Sequence, residues 1–217
     1  MSCSRSWPAL VGMLCLVVLS AAAQAKEPPA VSHDGLKLTK SKTVDVIYVR
    51  DGATLAGYRQ VMLNPVQVAF DKNWTREPRE VSANDRERIR KDLAEEFRRV
   101  FTEELEENGG YEIVEVAGPD VLRVSAAIVD LYITAPDTRS AGRSKTFTVS
   151  SGRMTLIAEL RDAESGAILG RVADKKEAST HGSFQWTTRA SNVSDARRIL
   201  RSWAGVLRKG LDSARGS

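Results

Sequence analysis

Residues 82–110, SANDRERIRKDLAEEFRRVFTEELEENGG, and 121–133, VLRVSAAIVDLYI, decide the fold between them. In the first, Ile89, Leu93, Phe97, Val100, Phe101 and Leu105 recur at steps of three and four, an apolar stripe along one side of a helix. Ser82 or Asn84 can cap its start, with Asp85 and Glu87 in the first turn where the helix dipole favours negative charge. Glu87 with Lys91 and Glu95 with Arg99 set opposite charges four residues apart. Asn108-Gly109-Gly110 ends the helix, because glycine accepts the left-handed backbone that a C-terminal cap needs. The second segment is apolar on both alternations of a strand, Leu122, Val124, Ala126 and Ile128 against Ala127, Val129, Leu131 and Ile133, and is expected at the centre of a sheet. Asp130 interrupts it beside Tyr132, which reads as the point where the strand leaves the core.

Working outward, Val44 to Val49 is rich in β-branched residues and reads as a strand. Gln60 to Phe70 is a second extended segment, in which Pro65 removes a ladder donor and so implies an edge strand or a bulge. Tyr111 to Val116 is a short strand. Ser151 to Arg161 alternates, with Met154, Leu156, Ala158 and Leu160 on one side and Arg153, Thr155, Glu159 and Arg161 among those opposite. The turn Asp162-Ala163-Glu164-Ser165-Gly166 returns the chain through Ile168 to Ala173 as a hairpin. A last helix opens near Asn192 or Ser194 and buries Ala196, Ile199, Leu200, Trp203, Val206, Leu207 and Leu211. Segregated runs of this kind predict an α+β fold, a mostly antiparallel sheet of about five to six strands with two amphipathic helices packed on one face. Residues 44–214 are read as that single domain.

The start of the chain reads as an export signal. Arg5 precedes an apolar run from Ala9 to Ala23, and Ala23-Gln24-Ala25 offers small residues where a signal peptidase cuts, predicting a mature N-terminus at Lys26. That run is shorter than the ~20 residues a membrane span needs. Lipid attachment at Cys15 is not expected, since Leu14 stands where a small residue belongs. Residues 26–43, with two prolines and the Asp34-Gly35 turn, read as a flexible tether. Cys3 and Cys15 are the only cysteines, so no disulfide is available after cleavage and a hydrophobic core must hold the domain.

The chain carries 32 Lys and Arg against 28 Asp and Glu; loss of the signal removes only Arg5 and leaves a net charge of +3. A nucleic-acid binder concentrates a larger basic excess among exposed aromatics, so that class is set aside.

Three stretches near the start stand out when taken together: Asp34-Gly35-Leu36; Val49-Arg50-Asp51-Gly52-Ala53 with Leu55, Gly57 and Tyr58; and Val61-Met62-Leu63-Asn64-Pro65-Val66. With the later Ser202-Trp203-Ala204, they resemble an exported bacterial family defined only as domain of unknown function 3313. The resemblance implies a Gram-negative envelope protein, periplasmic or secreted, and many members resemble lipoproteins. It carries over no activity and no catalytic residues.

Chemistry is sparse. His33 lies in the expected tether and His181 in a loop beside Ser179 and Ser183, too few ligands for a zinc site. No phosphate-binding glycine loop is present, since Gly109-Gly110 closes a helix, and no cofactor is implied. Glu95, Glu96, Glu103, Glu104, Glu106 and Glu107 read as a solvated helix face. The candidate binding residues are Trp74 and Trp186, aromatics in polar loops, and Arg139, Arg143 and Lys145 between the strands ending at Ile133 and resuming near Ser151. Arg197, Arg201 and Arg208 on the last helix extend the basic set toward an envelope protein or an anionic envelope surface. Two functions follow: a non-enzymatic binding or structural module, or a hydrolase of an envelope polymer built on His181 or on two acids across a cleft.

Overall fold

The computed structural model describes residues 27–76, 81–133, 152–177 and 189–216. Its strands are β1 (Lys37–Thr39), β2 (Val46–Val49), β3 (Gln60–Leu63), β4 (Gln67–Phe70), β5 (Glu112–Ile113), β6 (Val121–Ile133), β7 (Gly152–Asp162) and β8 (Ile168–Glu177). Its helices are α1 (Lys72–Arg76), α2 (Ala83–Glu106) and α3 (Arg189–Arg215). All eight strands join one sheet in the order β1-β2-β8-β7-β6-β3-β5, with β4 also on β6. The fold is the expected α+β class, with a sheet larger than expected for two reasons.

The first is Pro65. It lacks an N–H, and the segment around it breaks into β3 and β4, which lie end to end along β6. Both run parallel to β6, β3 against Val121–Val124 and β4 against Ala127–Leu131. Asn64 bridges the gap by donating its backbone N–H to the Val124 carbonyl at 3.0 Å. The second reason lies in residues 26–43, expected as a tether. From Ala30 to Leu38 the chain forms a hairpin around Gly35, whose φ of 80° suits glycine, and β1 pairs antiparallel with β2. Leu36 within it is wholly buried. The Tyr48 hydroxyl donates to the Pro29 carbonyl at 2.8 Å and fixes the strand of chain leading in.

The central strand is confirmed in β6, flanked by β3 and β4 on one side and by antiparallel β7 on the other. Asp130 does not mark its exit from the core. It sits at φ 51° inside a bulge between Val129 and Tyr132, which absorbs one residue and lets Leu131 take the next inward place.

Ser82 caps α2: its hydroxyl accepts the Asp85 N–H at 3.0 Å and donates to the Asp85 carboxylate at 2.7 Å. Leu93, Phe97, Val100, Phe101 and Leu105 then bury against Leu122, Val124, Ala126 and Ile128 of β6 and Met154, Leu156 and Ala158 of β7. From α3, Ile199, Leu200, Trp203, Ala204 and Leu211 join the same core. Burial of these side chains is worth ~1.5–3 kcal/mol each relative to exposure, so the helix pair supplies much of the drive for folding.

Of the acids of α2 and its C-cap, Glu95, Glu106 and Glu107 are exposed as expected, but Glu96, Glu103 and Glu104 turn toward α3. Glu96 Oε1 accepts from Arg197 Nε at 2.5 Å and from Arg99 at 2.7 Å, and Glu104 accepts from Arg208 Nε at 2.7 Å. Arg201 reaches Glu103 at 3.7 Å. The pairs of Arg197 with Glu96, Arg208 with Glu104 and Arg201 with Glu103 link α2 to α3, so the helix arginines expected to face a partner each meet an acid of the fold, Arg201 while still more than half exposed.

Candidate functional site

Alternate residues of a strand point to opposite faces, and here the two faces differ sharply. One is sealed by α2 and α3. Across the other, among the described residues, no helix lies, and only the N-terminal hairpin covers the β1–β2 end.

Strand register sorts that open face into rows. The first runs Leu38, Tyr48, Arg171, Glu159 and Ser125 across β1, β2, β8, β7 and β6. The second runs Val46, Ala173, Ile157 and Ala127, all apolar. The third sets Lys175, Thr155 and Val129 side by side. Ile157 is 41% exposed in the middle of the apolar row.

The first row is tied into a network. Arg171 Nη2 donates to Asp34 Oδ2 at 2.7 Å and to Glu159 Oε2 at 2.6 Å, while Arg161 Nε donates to Glu159 Oε1 at 2.6 Å. Asn64 Nδ2 donates to Ser125 Oγ at 2.9 Å at the far end. Asp34 is pulled down to about 2 by hydrogen bonds from Ser32 and Arg171. Burial opposes ionisation of Glu159, but hydrogen bonds from Arg171 and Arg161 outweigh it and hold the carboxyl below its ordinary value. Both acids are therefore ionised at neutral pH and engaged by arginine. They hold the hairpin and the face in shape, and are poorly suited to donating a proton.

Trp74 is not a surface anchor. It is 2% exposed, stacked on Phe70 at 4.4 Å between ring centres, and donates Nε1–H to the Ile133 carbonyl at 2.8 Å. Asp71 caps the short helix α1 beneath it by accepting the Asn73 and Trp74 N–H groups, and its second oxygen accepts from Arg153 at 3.0 Å. A tryptophan in a polar loop can anchor a partner or fold back over a sheet edge, and Trp74 does the second. Trp186, His181, Arg139, Arg143 and Lys145 lie outside the described residues.

Sequence reasoning passed over Ile157, Asp34 and Arg171. A signal existed for the first: Ile157 is the one apolar residue in the outward series Arg153, Thr155, Ile157, Glu159, Arg161. Asp34 and Arg171 are 137 positions apart, and nothing local announces their pairing.

The fold and this face define a class: a one-sheet α+β protein with helices layered on one side and a structured, partly apolar surface on the other. The chain belongs to the family described as protein of unknown function (DUF3313), which matches residues 27–207. No curated protein matches the sequence. Among solved structures it is similar to the PelC dodecamer from Paraburkholderia phytofirmans, with 13% identity, 75% of this chain and 96% of that chain covered and a TM-score of 0.41. It is also similar to the hypothetical protein CT253 from Chlamydia trachomatis, with 11% identity, 70% and 98% covered and a TM-score of 0.40. No helix among the described residues is long and apolar enough to cross a membrane.

Proposed function

We propose that the protein is a non-enzymatic binding module of the bacterial envelope, exported by the segment ending at Ala25, and that it meets a protein partner through the open face of the sheet. The observation that carries this reading is the row of Val46, Ala173, Ile157 and Ala127 bounded by charged and polar rows. An apolar strip with a polar rim is the anatomy of a protein interface. The rigid Arg171 network supports it further, because a surface held in shape before binding loses less entropy on association. A hydrolase that used Asp34 or Glu159 as its proton donor is disfavoured, because hydrogen bonds from arginine hold both carboxyls below their ordinary values.

A photo-crosslinking residue placed at 157 in cells tests the interface, with one at Glu95 on the exposed side of α2 as the comparison. A discrete protein adduct at 157 and none at 95 is expected; adducts from 95 alone would move the interface to the helix layer. N-terminal sequencing of the exported protein tests the compartment, and an intact Met1 would overturn it.

A further inference from the structure

Beside the open face, and independent of its role, a depression of about 510 Å³ lies where β2 begins and β8 ends. The antiparallel register of Val46 with Ala173 brings the chain before β2 alongside Asp174, Lys175 and Lys176. Lys42, from the segment before β2, and Lys175, from β8, line it with Ser41 and Thr43 on its wall; Lys176 also lines it but belongs to the opposite alternation of β8 and reaches Ser202 of α3.

Both acids of its lining accept hydrogen bonds from the fold, Asp174 inside it and Asp45 at its exposed edge. Asp174, almost wholly buried, accepts Trp203 Nε1–H at 2.7 Å through one oxygen and the Asp45 N–H at 3.0 Å through the other. Asp45 Oδ2 accepts the Lys175 N–H at 2.9 Å. Lys176 lies 3.5 Å from Asp174 and donates to Ser202 Oγ at 3.0 Å, so one of the three amines is shared with the fold. The other two are available. Among the described residues Lys175 pairs with Glu177 alone, at 3.0 Å with both side chains more than half exposed, a contact of little energy. Lys42 is exposed and has no acidic partner among the described residues. The Ser41 hydroxyl, 3.1 Å from that of Thr43, accepts the Thr43 and Val44 N–H groups, which fixes the wall.

We infer that this depression binds a phosphate group. Compact ammonium charges with hydroxyl donors beside them suit an anion that offers several oxygens at once. The phosphate could be carried by a soluble ester or by a lipid headgroup; both present the same oxygens to Lys42 and Lys175.

The fold provides its own reporter, because the Trp203 indole N–H rests on the carboxylate that floors the depression. The experiment follows the Trp203 indole N–H resonance, assigned with Trp203→Phe, as the protein lacking residues 1–25 is titrated with inorganic phosphate, with glycerol 3-phosphate, and with phosphatidylglycerol or neutral phosphatidylcholine vesicles. A saturable shift with the phosphates, weakened about tenfold in Lys42→Glu/Lys175→Glu and by raised salt, is expected. Lys209→Glu, on an exposed turn of α3, should titrate like wild type. Response to phosphatidylglycerol alone would assign the headgroup as the source, and response to the soluble phosphates alone would assign a free ester. No shift with any probe, or equal shifts in the double variant with its unliganded spectrum unchanged, would overturn the site.

Discussion

The indole N–H of Trp203 donates 2.7 Å to Asp174 Oδ2 in the interior, joining the last helix to the last strand. The ring fills the core and its nitrogen satisfies a buried carboxylate, so two substitutions separate the roles. Trp203→Ala is expected to cost ~3–5 kcal/mol, the usual loss for truncating a buried aromatic. Trp203→Phe keeps most of the packing but leaves Asp174 short of a donor, at ~1–3 kcal/mol. Urea denaturation of both variants measures the split, and an unchanged midpoint for Trp203→Ala would show that α3 is not docked.

The arginines around Glu96, one from α2 itself and one from α3, make stability fall in acid. Arg99 first, then Arg197, lowers Glu96 from 4.5 to about 2 against the opposing effect of burial. Folded protein thus binds fewer protons here than unfolded protein, and the stability this provides is fully present above pH 4.5 and is lost as pH falls toward 2. Glu96→Gln should flatten the pH dependence of the thermal midpoint in that interval and leave its slope above it unaltered.

Leu36 is the peg of the N-terminal hairpin. With no exposed surface, its truncation to Ala is expected to cost ~2–5 kcal/mol if the hairpin unfolds with the domain. If the hairpin opens by itself, the same change shows instead as faster trypsin cleavage at Lys37 and Lys40 with the global midpoint unmoved. Indifference of both readings would contradict the packing.

Gly152 begins β7 at φ 138°, and a Cβ there would lie 2.8 Å from the Tyr132 carbonyl oxygen. Backbone cannot yield as a side-chain end does. Gly152→Ala should destabilise by ~1–3 kcal/mol, checked by denaturation beside Gly166→Ala, which strains a positive φ but meets no neighbour within 4 Å.

Elements built on local periodicity were legible. The stripe from Leu93 to Leu105 marked α2, Ser82 marked its start, and the doubly apolar run marked β6 as central. Pro65 announced an interruption, though not that both halves would pair with one strand. What escaped was set by distance along the chain. The polar composition of residues 26–43 suggested a tether because Leu36, Asp34 and Tyr48 find their partners only in the folded sheet. The arginines of α3 looked free for the same reason, since Glu96 and Glu104 lie on a helix about a hundred residues earlier. Of the candidate site, the odd Ile157 among outward polar residues was visible, but the rows it belongs to required the register.

The pairing of β2 with β8 has a consequence for the order of assembly. Val46 meets Ala173 and Asp45 meets Asp174, while α2 finds its helical partner only in α3. The first hundred residues therefore contain most of their own secondary structure and few of its final neighbours. A chain delivered N-terminus first gains little by collapsing early, and closure waits for the C-terminal hairpin and helix to arrive. Truncation after Asp162 should leave a fragment with nascent helix and no cooperative unfolding, so the last 55 residues act as the keystone that closes an otherwise open chain.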